Sequence, residues 1–287
     1  MQIYNRSEKR IADEVDTNAK AVNFFYNNLF GRLILKLLIS PWISKLNGKR
    51  YSKKRSTRGI PNFIKKNKID MSEYPDEKYD SFNSFFTRQI LKEKRPVSAA
   101  KNDLISPCDS LLTVYEISEE LTFKLKNSVY TISELLQNKE LASKYNGGLC
   151  LIFRLTVRDY HHYCFIDDGM REDYTKINGV LHTVNPIATK KVKVYSENSR
   201  EYTTLHLKHF GDVIQMEVGA LMVGKIKNNG SKEFKRGDEK GYFEFGASTI
   251  IMLFEKDKIK IDDDILAYSE QDIESRVKYG EKIGKSS

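Results

Sequence analysis

Apolar side chains in the first quarter of the chain recur at helical spacing. Within residues 22–43, the most hydrophobic long stretch, four of them return at every fourth position and so share one face of a helix: Phe25, Leu29, Leu33 and Leu37. Pro41 is expected to end or bend this helix, because proline has no backbone N–H and clashes with the preceding turn. A second amphipathic helix is predicted over residues 80–95.

Beyond residue 100 the pattern changes to short apolar runs separated by turns, which is typical of β-strands. The predicted strands cover residues 111–117, 148–157, 192–195, 202–207, 213–218, 221–226 and 242–254. One helix is predicted among them, over residues 131–145, with Thr131 and Glu134 as a capping box. Many strands with few helices between them indicate an α+β fold, with amino-terminal amphipathic helices followed by a largely antiparallel β-rich body.

Positive charge is concentrated at the amino terminus. The chain of 287 residues has a formal net charge of +9, and residues 1–66 hold 15 Lys and Arg against 4 Asp and Glu. The rest is close to balance, so the first segment is predicted to dock on something anionic, either phospholipid or nucleic acid. Arg32 and Lys36 make the 22–43 helix too charged to span a bilayer, and Trp42 suits an interface. Residues 1–66 therefore resemble a peripheral membrane anchor; a core helix followed by a solvated basic loop is the alternative.

The expected environment is the inside of the cell. The first residues are polar and charged, unlike a signal peptide. The cysteines Cys108, Cys150 and Cys164 match no zinc-ligand spacing, so we expect reduced thiols and no metal site. Hydrophobic residues make up 40% of the chain, which is enough for a substantial core and argues against wholesale disorder.

Three clusters could carry chemistry. In the first, Ser248 follows Gly246 and Ala247 inside an apolar run, which would expose a nucleophilic hydroxyl on a constrained backbone. In the second, RDYHHYC at residues 158–164 offers a histidine as general base. In the third, ISPCDSLL at residues 105–112 places Asp109 where a carboxylate could orient a histidine. Each cluster alone is equally compatible with an ordinary turn or a surface histidine.

Taken together, the clusters resemble the phosphatidylserine decarboxylase family. The resemblance covers most of the chain, with motifs in the family's order: FNSFFTR (82–88) with RPV (95–97), SPCDS (106–110), RDYHHYC (158–164), TVNPIA (183–188), VGALMVGKI (218–226), KGYFEFGAST (240–249) and GEKIG (280–284). It implies a proenzyme that cuts itself between Ala247 and Ser248. The products would be a beta chain, 1–247, and an alpha chain, 248–287, held together as a heterodimer, with residues 67–287 as the decarboxylase domain.

The resemblance also implies the chemistry. Asp109, His161 or its neighbour His162, and Ser248 would form the set that drives cleavage, and Ser248 would become a pyruvoyl group. That group would act as an electron sink while phosphatidylserine loses CO₂ and becomes phosphatidylethanolamine. The partners would then be the phosphatidylserine substrate and an anionic membrane, on the cytoplasmic side of the cell membrane, and not a nucleic acid.

Three departures from the family pattern lie at this site. Ala247 stands where the family has glycine, and Ser110 replaces the glycine after the motif aspartate. Cys164 stands where the family has the second histidine of its DYHxxH motif. A thiol, with an unperturbed pKa of about 8.5, is a poorer neutral base than imidazole. Either a neighbouring histidine takes the role, or the chain is a degenerate homologue that binds phospholipid without turnover.

Overall fold

The computed structural model describes residues 1–14, 18–125, 128–221, 225–246 and 248–287. Within this part of the chain the α-helices are α1 Ala19–Asn27, α2 Leu29–Leu38, α3 Pro41–Tyr51, α4 Ile60–Asn67, α5 Phe82–Phe86, α6 Ile132–Leu136, α7 Lys139–Ser143, α8 Pro186–Thr189, α9 Val194–Glu197 and α10 Asp263–Ser269. Short 3₁₀ helices cover Lys54–Gly59, Met71–Glu73 and Lys92–Lys94.

The β-strands follow one another along the whole chain. They are β1 Gln2–Asn5, β2 Arg10–Asp13, β3 Asp103–Ile105, β4 Ser110–Glu116, β5 Thr122–Leu125, β6 Ser128–Thr131, β7 Leu149–Leu155, β8 His162–Cys164, β9 Gly169–Arg171, β10 Thr175–Ile177, β11 Arg200–Leu207, β12 Gly211–Val218, β13 Ile226–Asn228, β14 Glu233–Phe234, β15 Glu239–Phe243, β16 Ser248–Phe254, β17 Ile259–Ile261, β18 Glu274–Val277 and β19 Lys282–Ser286.

One large sheet organises the body. Its strand order is β14-β9-β11-β12-β16-β7-β4-β18-β1-β2, with β10 also paired to β11. Neighbouring strands run antiparallel, apart from the parallel pair β1 and β18. Smaller sheets have the orders β13-β15-β8, β17-β19-β3 and β5-β6. The predicted fold class, amino-terminal helices before a largely antiparallel β-rich body, is confirmed.

The central strands are buried on both faces. Every residue of β16 is buried, and β7 is buried from its second residue onward. Strands covered on both sides read as continuous apolar runs instead of alternating ones, which is why the sequence displays them so clearly. The predicted strands at 111–117, 148–157, 202–207 and 213–218 are confirmed within two or three residues as β4, β7, β11 and β12.

Other predicted elements differ from the structure. The strand predicted at 192–195 is wrong, because Val194 and Tyr195 instead begin α9 with their side chains buried. The predicted strand 221–226 lies partly on residues 222–224, outside the described part. The 242–254 run is divided into β15 and β16 at Gly246, whose φ of 143° lies in a region that favours glycine.

The predicted helices are shorter than expected. The helix at 80–95 is wrong in length, since α5 has five residues and is fixed by a capping box between Ser81 and Ser84. The helix at 131–145 is two helices, because Gln137 takes a left-handed backbone conformation (φ 50°) that ends α6. Thr131 caps α6 by accepting a hydrogen bond from the backbone N–H of Glu134, which is half of the predicted box.

The amino-terminal apolar stripe faces outward. Residues 22–43 form α1, α2 and the start of α3, and Pro41 begins α3 as its first residue. Large exposed fractions belong to the side chains of Leu29 (75%), Leu33 (61%), Leu37 (70%) and Trp42 (67%). These leucines and Trp42 are thus not part of the core, whereas Phe25 packs against it. Across the described residues, no helix combines the length and the apolar character that crossing a bilayer requires.

The first fourteen residues join the body, which the sequence did not predict. β1 pairs with β18 in the large sheet. Arg6, just after β1, forms ion pairs with Asp262, Asp264 and Glu281, at 2.7 to 2.9 Å. The exposed apolar stripe therefore belongs to the helices that follow, and not to this opening pair of strands.

Candidate active site

Two predicted site residues, Asp109 and Ser248, lie at the same end of the large sheet. β4 and β16 flank β7, since Leu111 and Thr249 pair with Arg154 from opposite sides. Both strands are antiparallel to β7, so they begin at the same end of the sheet. Asp109 directly precedes β4, and Ser248 is the first residue of β16. Two strand spacings separate their backbones by about 10 Å.

Ser248 is fully buried, with an exposed fraction of 0%. Its hydroxyl has no hydrogen-bond partner among the described residues. A buried hydroxyl normally finds a partner, because leaving it unpaired costs about 1–3 kcal/mol. Such a group at a strand start is available for chemistry. Ala247, the other side of the predicted cleavage site, lies outside the described residues.

The segment before Ser248 is anchored by aromatic packing. The ring of Phe245 lies 4.9 Å from that of Phe82 and 5.0 Å from that of Phe86, both in α5. It also lies 4.6 Å from the ring of Tyr51, the last residue of α3. The backbone N–H of Phe245 donates to Oδ1 of Asn83 at 3.2 Å. The amino-terminal helices and α5 thus hold the approach to Ser248.

His161 is a buried imidazole with one free nitrogen. Its Nδ1 lies 2.8 Å from the backbone carbonyl oxygen of Asp159. A carbonyl oxygen only accepts, so Nδ1 carries the proton and Nε2 presents a lone pair. Nε2 is buried and has no partner within the described part of the chain. Burial lowers the pKa of His161 from 6.5 to about 4, so the ring is neutral at pH 7 and able to accept a proton.

His162, the neighbouring candidate, has partners at both ring nitrogens. Nδ1 lies 2.8 Å from Oε2 of Glu239, and Nε2 donates to the carbonyl oxygen of Thr87 at 3.0 Å. Its ring also stacks between Tyr160 and Tyr242. These contacts tie β8 to β15 and to the end of α5. His161 is therefore the better placed base of the two.

Cys164 is fully buried, and its thiol is not a base. Burial raises the pKa of this thiol to about 12, so it stays protonated at neutral pH. Its Sγ lies 4.0 Å from the carbonyl oxygen of Ser106, and its N–H donates to the carbonyl oxygen of Pro107 at 2.9 Å. The structure thus brings the RDYHHYC and SPCDS segments into direct contact at Cys164.

Asp109 is bound by cationic and backbone donors. Arg95 donates to both carboxylate oxygens, with the shortest contact 2.6 Å from Nη2 to Oδ2. The backbone N–H of Tyr279 donates to Oδ1 at 2.8 Å. No hydrogen bond joins Asp109 to a histidine among the residues that the structure describes. Asp109 and Ser248 lie at one end of the large sheet, and His161 precedes β8 of a smaller sheet, but the carboxylate faces an arginine.

Comparison with known proteins identifies the family. The phosphatidylserine decarboxylase family model matches residues 82–285. The chain is 54% identical over 285 residues to phosphatidylserine decarboxylase proenzyme 2 of Clostridium acetobutylicum, which covers 99% of this chain and 98% of the relative. It is 43% identical over 291 residues to the phosphatidylserine decarboxylase proenzyme of Clostridium novyi, covering 99% of each. The chain belongs to the phosphatidylserine decarboxylase family. This confirms the family predicted from the motifs and the enzyme class that its name gives.

Two site residues of this phosphatidylserine decarboxylase family member were missed in the sequence. Arg95 belongs to the RPV segment and pairs with the nearly buried Asp109 through Nε and Nη2, while its Nη1 and Nη2 also donate to Glu73 at 3.0 Å. A buried carboxylate needs a cation, so the requirement was foreseeable but the partner was not. Asp159, whose backbone carbonyl oxygen contacts Nδ1 of His161, was missed as well, although it lies inside RDYHHYC. A contact made by a backbone carbonyl does not depend on the residue type and so leaves no signal in the sequence.

The described residues fit the pyruvoyl group that the family resemblance implies. The group would form from Ser248 itself, whose hydroxyl is buried and unpaired. The ring of Phe86 contacts both His161 (4.2 Å) and Phe245 (5.0 Å), which links the histidine to the segment before Ser248. The arrangement can supply a nucleophile and a neutral base without bulk water.

Proposed function

We propose that this chain is a self-cleaving pyruvoyl enzyme that decarboxylates phosphatidylserine to phosphatidylethanolamine and CO₂. The observation that carries the proposal is the unpaired, fully buried hydroxyl of Ser248 at the start of β16. His161 follows β7 by six residues, and β7 ends at Leu155, the residue that pairs with Ser248. Its Nε2 is unpaired among the described residues, and burial lowers its pKa. A serine becomes a nucleophile when a neighbouring base takes its proton, and His161 is our candidate for that base.

Cleavage would begin with attack of Ser248 Oγ on the carbonyl carbon of residue 247, with His161 Nε2 as our candidate base. The C–N bond breaks as the C–O bond forms, which gives an ester and frees the amino group of residue 248. Loss of the α-proton of residue 248 then expels residues 1–247 as a carboxylate and leaves dehydroalanine. One water converts this residue to the pyruvoyl ketone and releases ammonia.

The pyruvoyl group, once formed, supplies a ketone that condenses with the substrate amine and withdraws the electrons left by CO₂. The chain's own residues hold this position. β16 lies between β12 and β7, which fixes the new chain end in the sheet. Arg95 and the N–H of Tyr279 hold Asp109 at the neighbouring strand start.

Intact-mass spectrometry of the purified protein tests the proposal. We expect two chains, 1–247 and 248–287, with a blocked pyruvoyl group at the start of the second. Ser248→Ala should stay uncut and inactive, because no hydroxyl is present to start the acyl shift. Ser275→Ala is the matched control, since Ser275 is also fully buried in the sheet with an unpaired hydroxyl in the described structure. It should be cut normally.

The alternative is a degenerate homologue that binds phospholipid without turnover. The buried thiol of Cys164 favours it, because a protonated thiol cannot replace a histidine base. An uncut wild-type chain in the same mass spectrum would support this alternative. Decarboxylation by an uncut chain would contradict the proposed mechanism outright, since an uncut chain carries no ketone.

The docking helices supply the second part of the proposal. We infer that α1, α2 and α3 hold the enzyme peripherally on the anionic cytoplasmic face of the cell membrane. Leu29, Leu33, Leu37 and Trp42 are exposed, and a run of basic residues follows them. Apolar side chains beside cations suit a bilayer interface. A nucleic acid would leave the leucines in water, so we favour phospholipid.

The same helices lie next to the cleavage segment. α3 begins beside the exposed Trp42 and ends at Tyr51, whose ring contacts Phe245. Phe245 is three residues before Ser248. The docking helices therefore contact the segment that leads to Ser248, which supports a phospholipid as substrate.

A further inference from the structure

A cationic pocket lies behind the docking helices. It has a volume of about 320 Å³, within the range of small-molecule sites, and opens between α1–α2 and residues 182–192. Three of its lining residues carry positive charge: Arg32, Lys36 and Lys191. Apolar side chains, among them Leu35 and Ile39, form the rest of the wall.

The three cations are not paired with a carboxylate in the described part of the chain. Nearby Lys193 pairs with Glu134 at 3.1 Å. Within the described residues, by contrast, Arg32, Lys36 and Lys191 form no ion pair with a carboxylate. Like charges around one cavity repel each other, so their grouping is favourable when an anion lies between them.

The floor of the pocket is joined by hydrogen bonds. The hydroxyl of Tyr26 in α1 accepts a hydrogen bond from the N–H of Thr183 and lies 2.9 Å from Nδ1 of His182. Nε2 of His182 lies 3.5 Å from Oε2 of Glu197, a residue that does not line the pocket. The N–H of Leu181 donates to the carbonyl oxygen of Ile39, which fixes the end of α2. The cations are thus presented from elements that are already joined.

The pocket also lies beside the exposed leucine stripe. On a helix with 3.6 residues per turn, positions 32, 36 and 39 follow one another along the flank next to positions 29, 33 and 37. A molecule bound at that flank would have its polar end between the cations and its apolar end beside the leucines. A phospholipid at a bilayer surface has this arrangement of a polar end and an apolar end.

We propose that this pocket binds the phosphate of an anionic glycerophospholipid whose acyl chains stay in the bilayer. The lipid source rests on the membrane docking proposed above. Arg32 would clasp the phosphate oxygens with its planar guanidinium, while Lys36 and Lys191 add point charges. The lining belongs to α1, α2 and the 182–192 segment, whereas the Ser248 site is built from α5, β8, β15 and β16. The bound lipid is therefore an accessory to the substrate.

Calorimetry with short-chain dihexanoyl phosphatidylglycerol, kept below its aggregation concentration, tests the pocket on the full chain. The pocket variant Arg32→Gln, Lys36→Gln, Lys191→Gln should bind at least about tenfold more weakly than wild type. The matched control is Lys45→Gln, Lys49→Gln, Arg50→Gln, which removes the same charge from exposed positions on α3 outside the pocket. It should change the affinity by less than about twofold.

Equal losses in both variants, or no binding by wild type, would overturn the proposal. Inorganic phosphate is the second probe, and it should displace the lipid only at roughly hundredfold higher concentration, because it gains no apolar contact. Displacement at equal concentration would assign the pocket to free phosphate instead.

The outcome is separable from the proposed enzyme function. Monomeric lipid requires neither vesicle docking nor self-cleavage. If the purified protein is uncut, and the pocket variant still binds lipid more weakly than the control variant does, the result would count against the pyruvoyl mechanism alone. A chain that binds monomeric lipid but not vesicles would count against the docking surface alone.

Discussion

At the scale of single residues, the site depends on which side chain takes the proton of Ser248. Cys164 stands at the position of a histidine in the family motif, yet burial keeps its thiol protonated, with a pKa of about 12. His161 is neutral and has a free Nε2. Under the proposed mechanism, the base would therefore lie three residues before the substituted position.

Replacement of the thiol should leave maturation nearly unchanged. If Cys164 only fills space, Cys164→Ser should be cut at close to the wild-type rate, whereas His161→Ala should remain uncut. Cys150→Ser is the control, because Cys150 is an equally buried thiol in β7. The rates can be read from denaturing gels after a translation pulse. A Cys164→Ser chain that stays uncut while Cys150→Ser matures would show that the thiol itself takes part.

The cleavage rate should depend on pH with a midpoint near 4. Burial lowers the pKa of His161, so the neutral base persists as pH falls below 6.5 and is lost only near pH 4. A chain translated at pH 7.5 and shifted to buffers between pH 4 and 8 supplies the profile. Circular dichroism at each pH controls for unfolding. A midpoint between pH 6 and 7 would point to a less buried histidine as the base.

At the scale of elements, docking is predicted to reside in α2 and the start of α3. Leu29→Ser, Leu33→Ser, Leu37→Ser should lower vesicle partitioning by roughly a hundredfold, at about 1 kcal/mol per leucine. The control is Val129→Ser, Met170→Ser, since both side chains are about half exposed on the body. Co-sedimentation with anionic vesicles measures the effect. Unchanged binding by the triple variant would remove these helices as the docking surface. Deletion of residues 1–66 is a poorer test, because it also removes β1 from the sheet.

The sequence predicted those elements whose apolar pattern extends over many residues. β7 and β16 read as strands because both faces are covered, and the leucine stripe of α2 reads as a helix because its spacing is regular. The short elements could not be read in this way. α5 ends after five residues through a local cap, and α9 buries Val194 and Tyr195 within a four-residue helix. Tertiary packing decides such runs, not periodicity.

The sequence predicted which residues of the candidate site could carry chemistry, but not which hydrogen-bond partners Asp109 would have. Ser248, His161 and Asp109 were found from motif resemblance, and Asp109 and Ser248 lie at the same end of the large sheet. The partners Arg95 and Tyr279 come from segments far from Asp109 in the chain or contribute only a backbone N–H. Neither kind of contact leaves a local pattern in the sequence.

At the scale of the whole molecule, the cut should not release the small chain. β16 is paired with β12 on one side and β7 on the other, while β18 and β19 pair with β4 and β3. The segments 1–247 and 248–287 should therefore separate on a denaturing gel and co-elute from a native sizing column. Uncut Ser248→Ala should elute at the same volume. Separate elution of the small chain under native conditions would contradict the interlocked sheet.

The burial of Ser248 has a consequence for quality control in the cell. Its hydroxyl can be brought to the base only after β16 has entered the sheet between its two neighbours. Under the proposed mechanism, a nascent or misassembled copy would lack that alignment and could not mature. The ratio of the 248–287 chain to the uncut precursor would then measure the fraction of molecules that have folded. Each active molecule would be one that had folded at least once, because the cut is covalent.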